Sequence, residues 1–208
     1  NLGFPALGGF IPEGFSSHTA HFEEYDYNTS KAIALLNEVG FSAEKPLKIE
    51  LNTTAAYTDL AEFVQFQLNL AGIELQVNVL ESGNLNELVA NANLFFFKKS
   101  WLADYPDEEN FMALFYSKNF CPEGPNYTHF KNKEFDRLYE ESIAMNDRSL
   151  RKSHYQKMDS LVAEGQAIAP LFYGQAVKFL QNNVQGLPSS PVNMLDLRRV
   201  KKEVTSEP

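Results

Sequence analysis

Leu47, Ile49 and Leu51 alternate with Lys48 and Glu50 directly after Pro46, and further on Ile73, Leu75, Val77 and Val79 alternate with Glu74, Gln76 and Asn78. Between them Leu60, Phe63, Val64, Gln67, Leu68 and Ala71 recur at helical spacing from about Thr58, and Gly72 closes the run. A period of two places apolar side chains on one face of a strand, and a period near 3.6 places them on one face of a helix. A strand, a helix and a strand in succession form a crossover unit, so the two strands should lie parallel in an α/β sheet with a right-handed connection. Leu94, Phe95, Phe96 and Phe97 form a continuous apolar run that suits a third strand, at 94–99, buried on both faces. The predicted architecture is α/β: a mixed sheet around strands at 47–53, 73–79 and 94–99, flanked by helices.

Other elements follow from the same signals. Asn28 can cap a helix whose stripe is Ala32, Ile33, Leu35, Leu36 and Val39, ending at Gly40. A short helix is expected around Leu85 to Ala90, and longer ones from Asn132 to Ala144 and Asp147 to Glu164, each opened by a capping residue. Ala167 to Tyr173 and Gln175 to Leu180 read as strands. Ahead of Asn28, the residues Gly3, Pro5, Gly8, Gly9, Pro12 and Gly14 follow no period, so an extended crossing of a surface, poorly packed or engaged with a neighbouring molecule, is expected there. The last 20 residues are expected to be similarly loose. The division is 1–27 as an extended crossover, 28–180 as an α/β lobe, and 181–208 as a return segment.

Composition decides which partners such a fold could take. With 44% apolar and 13% aromatic residues in 208, the chain has enough core material to fold. Eighteen basic residues against 27 acidic ones leave a net charge of -9, too few cations to neutralise a phosphate backbone, so no nucleic-acid partner is expected. The apolar runs fall far short of the roughly 20 residues of a membrane helix. Cys121 is the single cysteine, which excludes an internal disulfide and a multi-cysteine zinc framework. The chain begins at Asn1 without a basic and apolar leader, which reads as a processed chain or a piece of a longer one.

His18 and His21 have H-x-x-H spacing with Glu23 and Glu24 nearby, but a Gly/Pro-rich loop does not project two imidazoles to one side, so no metal is expected. No nucleophile elbow, P-loop or dinucleotide turn occurs, and no cofactor is expected. Asp104, Asp107, Glu108 and Glu109 form an acidic group in which a carboxylate pair could act on a glycan. Glu108 and Glu109 also suit the first turn of a helix through Phe111, Ala113 and Leu114, where negative charge complements the dipole. Asp104 stands apart, because it follows Trp101 in a loop after the Phe run, and ligands bind in loops at strand ends of open α/β sheets. A Trp beside an acid can form an apolar wall next to an ammonium-binding charge, or equally an interface Trp and a turn aspartate.

The segment Trp101-Leu-Ala-Asp-Tyr-Pro-Asp-Glu-Glu-Asn-Phe111 resembles the W-x-A-D-Y-x-D-P-x-x-F stretch of family 5 extracellular solute-binding proteins, the dipeptide and oligopeptide binders of ABC importers. Asn28-Thr-Ser-Lys-Ala-Ile-Ala-Leu-Leu-Asn-Glu-Val-Gly40 is similar to the family's D-P-x-K-A-x-x-L-L-x-x-A-G helix, and Ala71-Gly-Ile-Glu-Leu75 to its helix-to-strand turn. Asn126 to Asp136 resembles its N-x-x-x-x-x-N-x-x-F/Y-D segment, and Arg148 to Tyr155 its R-x-x-x-Y helix. Ala169-Pro-Leu-Phe-Tyr173 and Val184-Gln-Gly186 resemble later strands of the family. The order of these motifs spans nearly the whole chain.

The resemblance implies a lobe of the type II periplasmic-binding-protein fold, acting without catalysis. It implies capture of peptides, di- or oligopeptides, by lobe closure and their delivery to an ABC permease in the membrane. It implies that Asp104 accepts a ligand α-amino group, that Trp101 lines the side-chain pocket, and that Lys98 can meet a carboxylate. Tyr105, Asn126 and Tyr173 complete the implied ligand-binding set, and Gly174 stands where certain oligopeptide binders carry a further aromatic. Members are more than twice as long, so an N-terminal lobe of the same protein is an implied partner. The implied location is periplasmic or otherwise extracytoplasmic, with a lipid anchor on that N-terminal part. Relatives of the same fold bind sugars, nickel chelates or haem, and fold does not fix ligand.

Overall fold

The computed structural model describes residues 3–188, 190, 192 and 194–203, without the side chain of Tyr25. In chain order the elements are β1 Gly3–Pro5, α1 Thr29–Glu38, β2 Leu47–Thr53, α2 Thr58–Leu70, β3 Ile73–Val79, α3 Ser82–Ala90, α4 Glu109–Met112, α5 Lys133–Ala144, α6 Arg148–Glu164, β4 Phe172–Gly174, β5 Val184–Gln185 and β6 Lys201–Lys202. They fall into two compact units. One takes Asp26–Trp101 and Leu114–His129; the other takes the chain up to Tyr25, Leu102–Ala113, and Phe130 onward.

The first of these units is built on the expected crossover. Strands β2 and β3 are parallel from Leu47↔Ile73 to Thr53↔Val79. Leu51, Ala61 and Leu75 are buried at its centre, packed by Ile49, Val64, Leu68, Val77 and Phe96. The opposite face of the pair is polar: Lys48 Nζ lies 2.8 Å from Glu74 Oε2 and Asn78 Nδ2 donates to Glu50 Oε2 at 2.9 Å. This one-sidedness corrects the strand expected at 94–99. Phe96 O accepts from Asn52 N, Lys98 N donates to Asn52 O, and a single bridge joins Asn52 and Phe97. Phe96 turns into the core while Phe95, on the other side of the chain, is 95% exposed. A continuous apolar run therefore did not signal burial on both faces.

Helix α1 forms as expected, with Asn28 Oδ1 accepting from Lys31 N at 2.8 Å, but none of its residues is buried and Val39 is 71% exposed. A stripe at helical spacing fixes a helix without saying what covers it.

In the other unit, α5 and α6 pack through Phe135, Leu138, Tyr139, Tyr155, Met158 and Val162, all buried. Their first turns are capped as expected, by Asn132 Oδ1 on Glu134 N and Phe135 N, and by Asp147 Oδ1 on Ser149 N and Leu150 N. Strand β4 pairs antiparallel with β1, and β5 with β6. The fold is α/β, with its parallel and antiparallel strands distributed, among the described residues, over three two-stranded pairs.

The strands expected at 167–173 and 175–180 shrink to Phe172–Gly174, the three residues for which β1 supplies a partner. Beyond them Val177 and Phe179 are exposed, so their alternation has no sheet to serve among the described residues. The stretch before Asn28 is not loose either. Ile11, Phe15 and Ser17 are buried, and Phe15 packs edge-on against Phe111 with ring centroids 5.1 Å apart. Of the last 20 residues, 189, 191, 193 and 204–208 lie outside the described residues; Val192 is buried, whereas Met194, Leu195 and Leu197 are exposed.

Candidate functional site

Residues 102–109 form a loop whose backbone is held at both ends. Ala103 is buried, Asp104 is exposed, and Asp107 N donates to Tyr105 O at 2.9 Å. Asp107 then receives a two-pronged clamp: Arg151 Nη1 donates to Oδ2 at 2.7 Å and Nη2 to Oδ1 at 2.9 Å. Glu109 N adds a third donor to Oδ1 at 2.8 Å. Burial alone would push the Asp107 carboxyl up, but the hydrogen bonds and charge of Arg151 outweigh it and hold the group below the usual carboxylate range. Arg151 is committed in turn, since its Nε donates to Ser142 O at 3.0 Å near the end of α5.

The neighbouring acids are committed as well. Glu108 Oε1 accepts from Ser16 Oγ at 2.9 Å and Ser17 N at 3.2 Å. Glu109, in the first turn of α4 as expected, accepts the hydroxyls of Tyr105 and Tyr139. Burial, and then the adjacent Glu109 carboxylate, push the Tyr139 phenol above its ordinary value. Three of the four acids in the group thus have local partners, whereas no hydrogen bond or ion pair engages Asp104 among the described residues.

The remaining residues implied by the resemblance are placed as follows. Tyr105 shares the loop with Asp104 and is 44% exposed. Tyr173 lies on β4 of the same unit, with its hydroxyl donating to Gly9 O at 2.7 Å and its ring edge-on to His18. Lys98, Trp101 and Asn126 belong to the other unit. Lys98 Nζ sits 3.1 Å from the centroid of the Tyr57 ring and 2.6 Å from Ser100 Oγ, and this ammonium draws the Tyr57 phenol below its ordinary value. Trp101 is half-buried. Asn126 is fully buried and works inside its own loop: its Nδ2 donates to Tyr116 O at 3.1 Å and its Oδ1 accepts from Thr128 Oγ1 at 3.1 Å.

Two further residues were missed by sequence reasoning. Arg151 meets Asp107 across 44 positions, and its one local signal was the i, i+4 spacing to Tyr155, whose ring lies under the guanidinium at 4.9 Å. Asp159, fully buried, accepts from Phe10 N at 2.8 Å and from Ile11 N at 3.4 Å, and nothing local in the sequence announces it. His18 Nδ1 donates to Ile11 O at 2.8 Å. Among the described residues no three His, Cys, Asp or Glu side chains gather as a metal site would require, and no helix is long and apolar enough to cross a membrane.

The fold is that of the type II periplasmic binding proteins. The structure matches a peptide-bound periplasmic binding protein, DppA of Helicobacter pylori, with a TM-score of 0.82 at 21% identity, over 98% of this chain and 40% of that one. The chain belongs to the bacterial extracellular solute-binding proteins, family 5, whose "Middle" region model matches residues 1–120. It is 24% identical over 201 residues to di/tripeptide-binding protein 2 of Pseudomonas aeruginosa, covering 95% of this chain and 38% of that protein. It is 26% identical over 193 residues to the oligopeptide-binding protein OppA of Bacillus subtilis, covering 88% of this chain and 35% of that protein. The chain therefore spans well under half the length of these relatives.

Proposed function

We propose that this chain is part of the substrate-binding component of an ABC importer, capturing di- or oligopeptides by closure and delivering them to a membrane permease. The observation that carries the reading is Asp104, an exposed carboxylate without a protein partner among the described residues, on a loop whose other acids are all engaged. Such a group suits a ligand α-ammonium, which becomes a charge-assisted pair once water is excluded. Trp101 supplies an apolar wall for a ligand side chain, Lys98 a cation for a ligand carboxylate, and Tyr105, Tyr173 and Asn126 shape or support the surroundings. Membership of the family and the peptide-binding names of the relatives favour this reading.

The protein works outside the cytoplasm, without catalysis, and with further chain of the same protein covering the ligand. In this reading 28–180 carries the ligand, 1–27 and 181–208 cross to the remainder, and a lipid can hold the protein at the membrane. A glycan-acting role is less well supported, because Asp107, Glu108 and Glu109 are held by other groups and leave Asp104 without a second carboxylate. The test is native purification of the full-length protein with mass spectrometry of what co-purifies, followed by calorimetry with free and N-acetylated forms of one peptide. Recovery of peptides, and binding at least about tenfold weaker after acetylation, is expected. Recovery of a sugar, a metal chelate or haem, or turnover of a glycan, contradicts it.

A further inference from the structure

We infer that Arg151, acting through Asp107, is a positioning residue for Asp104, and that this clamp sets the protein's preference for ligands with a free α-ammonium. The inference rests on the reading of Asp104 given above. Since no side chain among the described residues holds the Asp104 carboxylate, its aim must come from the backbone that carries it. That backbone is fixed on one side by the buried Ala103 and on the other by the hydrogen bond from Asp107 N to Tyr105 O. Asp107 is the residue at which the loop is fastened to the helices.

Its carboxylate takes both prongs of the Arg151 guanidinium and the Glu109 amide, with the Tyr155 hydroxyl at 3.5 Å. A carboxylate has about four acceptor positions, so Asp107 is nearly saturated and has little freedom to rotate. Arg151 is anchored to Ser142 O and lies over the Tyr155 ring, which ties the clamp to both α5 and α6. A second fastening lies two residues on, where Glu109 accepts the hydroxyls of Tyr105 and Tyr139. Tyr105 is the residue next to Asp104, so both fastenings act on the chain immediately C-terminal to the ligand-facing carboxylate. Binding constellations lose function when their supporting shell allows about 0.5 Å of drift, and a planar fork restricts drift in a way that a single ammonium cannot.

The experiment uses the full-length protein and one peptide in free and N-acetylated form, with Asp104→Asn as the reference variant. Arg151→Lys keeps the positive charge and removes the fork, and Asp107→Asn removes the carboxylate with little change of shape. Calorimetry should show free-peptide affinity falling about tenfold in both variants, with the acetylated peptide changed by less than about twofold. Discrimination between the peptides then collapses toward that of Asp104→Asn. A merely structural role lowers both affinities together and leaves their ratio at the wild-type value, which overturns the inference. If neither variant unfolds cooperatively, Tyr139→Phe decides: a fall in the ratio of two- to threefold supports the inference and an unchanged ratio overturns it. Failure of the underlying reading looks different, since wild-type protein would then bind both peptides equally and Asp104→Asn would have no effect.

Discussion

Two irregular stretches of one unit are each held by an aspartate, and they solve the same problem with opposite electrostatics. The loop at 102–109 is fastened by Asp107, whose charge is met by the Arg151 fork. The stretch at 8–18 is fastened by Asp159, which accepts from the amides of Phe10 and Ile11 but has no ion pair to a cation among the described residues. Burial pushes the Asp159 carboxyl up to about 6, against the two amide hydrogen bonds, whereas Arg151 brings Asp107 below its ordinary range in spite of burial. The comparison teaches that a buried carboxylate can organise a loop in either way, but only the paired one keeps its full strength at neutral pH.

The largest expected effect comes from removing the cation of the paired site. Arg151→Met leaves Asp107 partly buried and unpaired, and should cost about 3 kcal/mol of stability, read from urea unfolding. If the loss is under about 0.5 kcal/mol, the Arg151 clamp is no stronger than an ordinary surface ion pair.

The unpaired site should reveal itself through pH. The folded-state value of Asp159 near 6 lies above the unfolded value of about 3.9, so its ionised form is the destabilised one. The stability its protonation contributes is fully present below about pH 4 and is lost as pH rises through 6, a span of up to about 3 kcal/mol. Asp107 has the opposite sign: its contribution is present above about pH 4 and is lost as pH falls through its lowered folded value. Urea unfolding should therefore give higher stability at pH 5 than at pH 7.5, and Asp159→Asn should flatten that rise. A rise of the same size in the variant would mean that another group causes it.

A smaller effect is expected where the backbone approaches Asp159. A Cβ on Gly9 would collide with the Asp159 carboxylate, so Gly9→Ala should destabilise by about 1–3 kcal/mol. Its thermal midpoint should fall less in an Asp159→Ala background, which makes room for the methyl. Smallest is the loss of a cap: Asp147→Ala should cost about 1 kcal/mol and leave ligand affinity unchanged.

The same contrast explains which parts of the structure could be read from the chain alone. Alternation within Leu47–Thr53 and Ile73–Val79, and the caps at Asn28, Asn132 and Asp147, depend on neighbours a few residues away, and all of them formed as expected. The stretch at 94–99 was misjudged because its exposure depends on a polar sheet face set by Lys48, Glu50 and Glu74. The length of β4 depends on the distant Gly3–Pro5. Of the candidate site, Trp101 and Asp104 stood out through a strand-end position and a motif, whereas the partnership of Asp107 with Arg151 joins residues 44 apart and that of Phe10 with Asp159 residues 149 apart. Such pairings leave no periodic trace. Only the spacing of Arg151 and Tyr155 on one helix face hinted at the first of them.

The central claim is that Asp104 receives a ligand ammonium, and isothermal titration of Asp104→Asn in the full-length protein tests it most directly. With a peptide that binds the wild type, the account predicts at least about a tenfold loss of affinity, or 1.4 kcal/mol, together with loss of the preference for the free over the N-acetylated form. Unchanged affinity and an unchanged preference in the variant would contradict it.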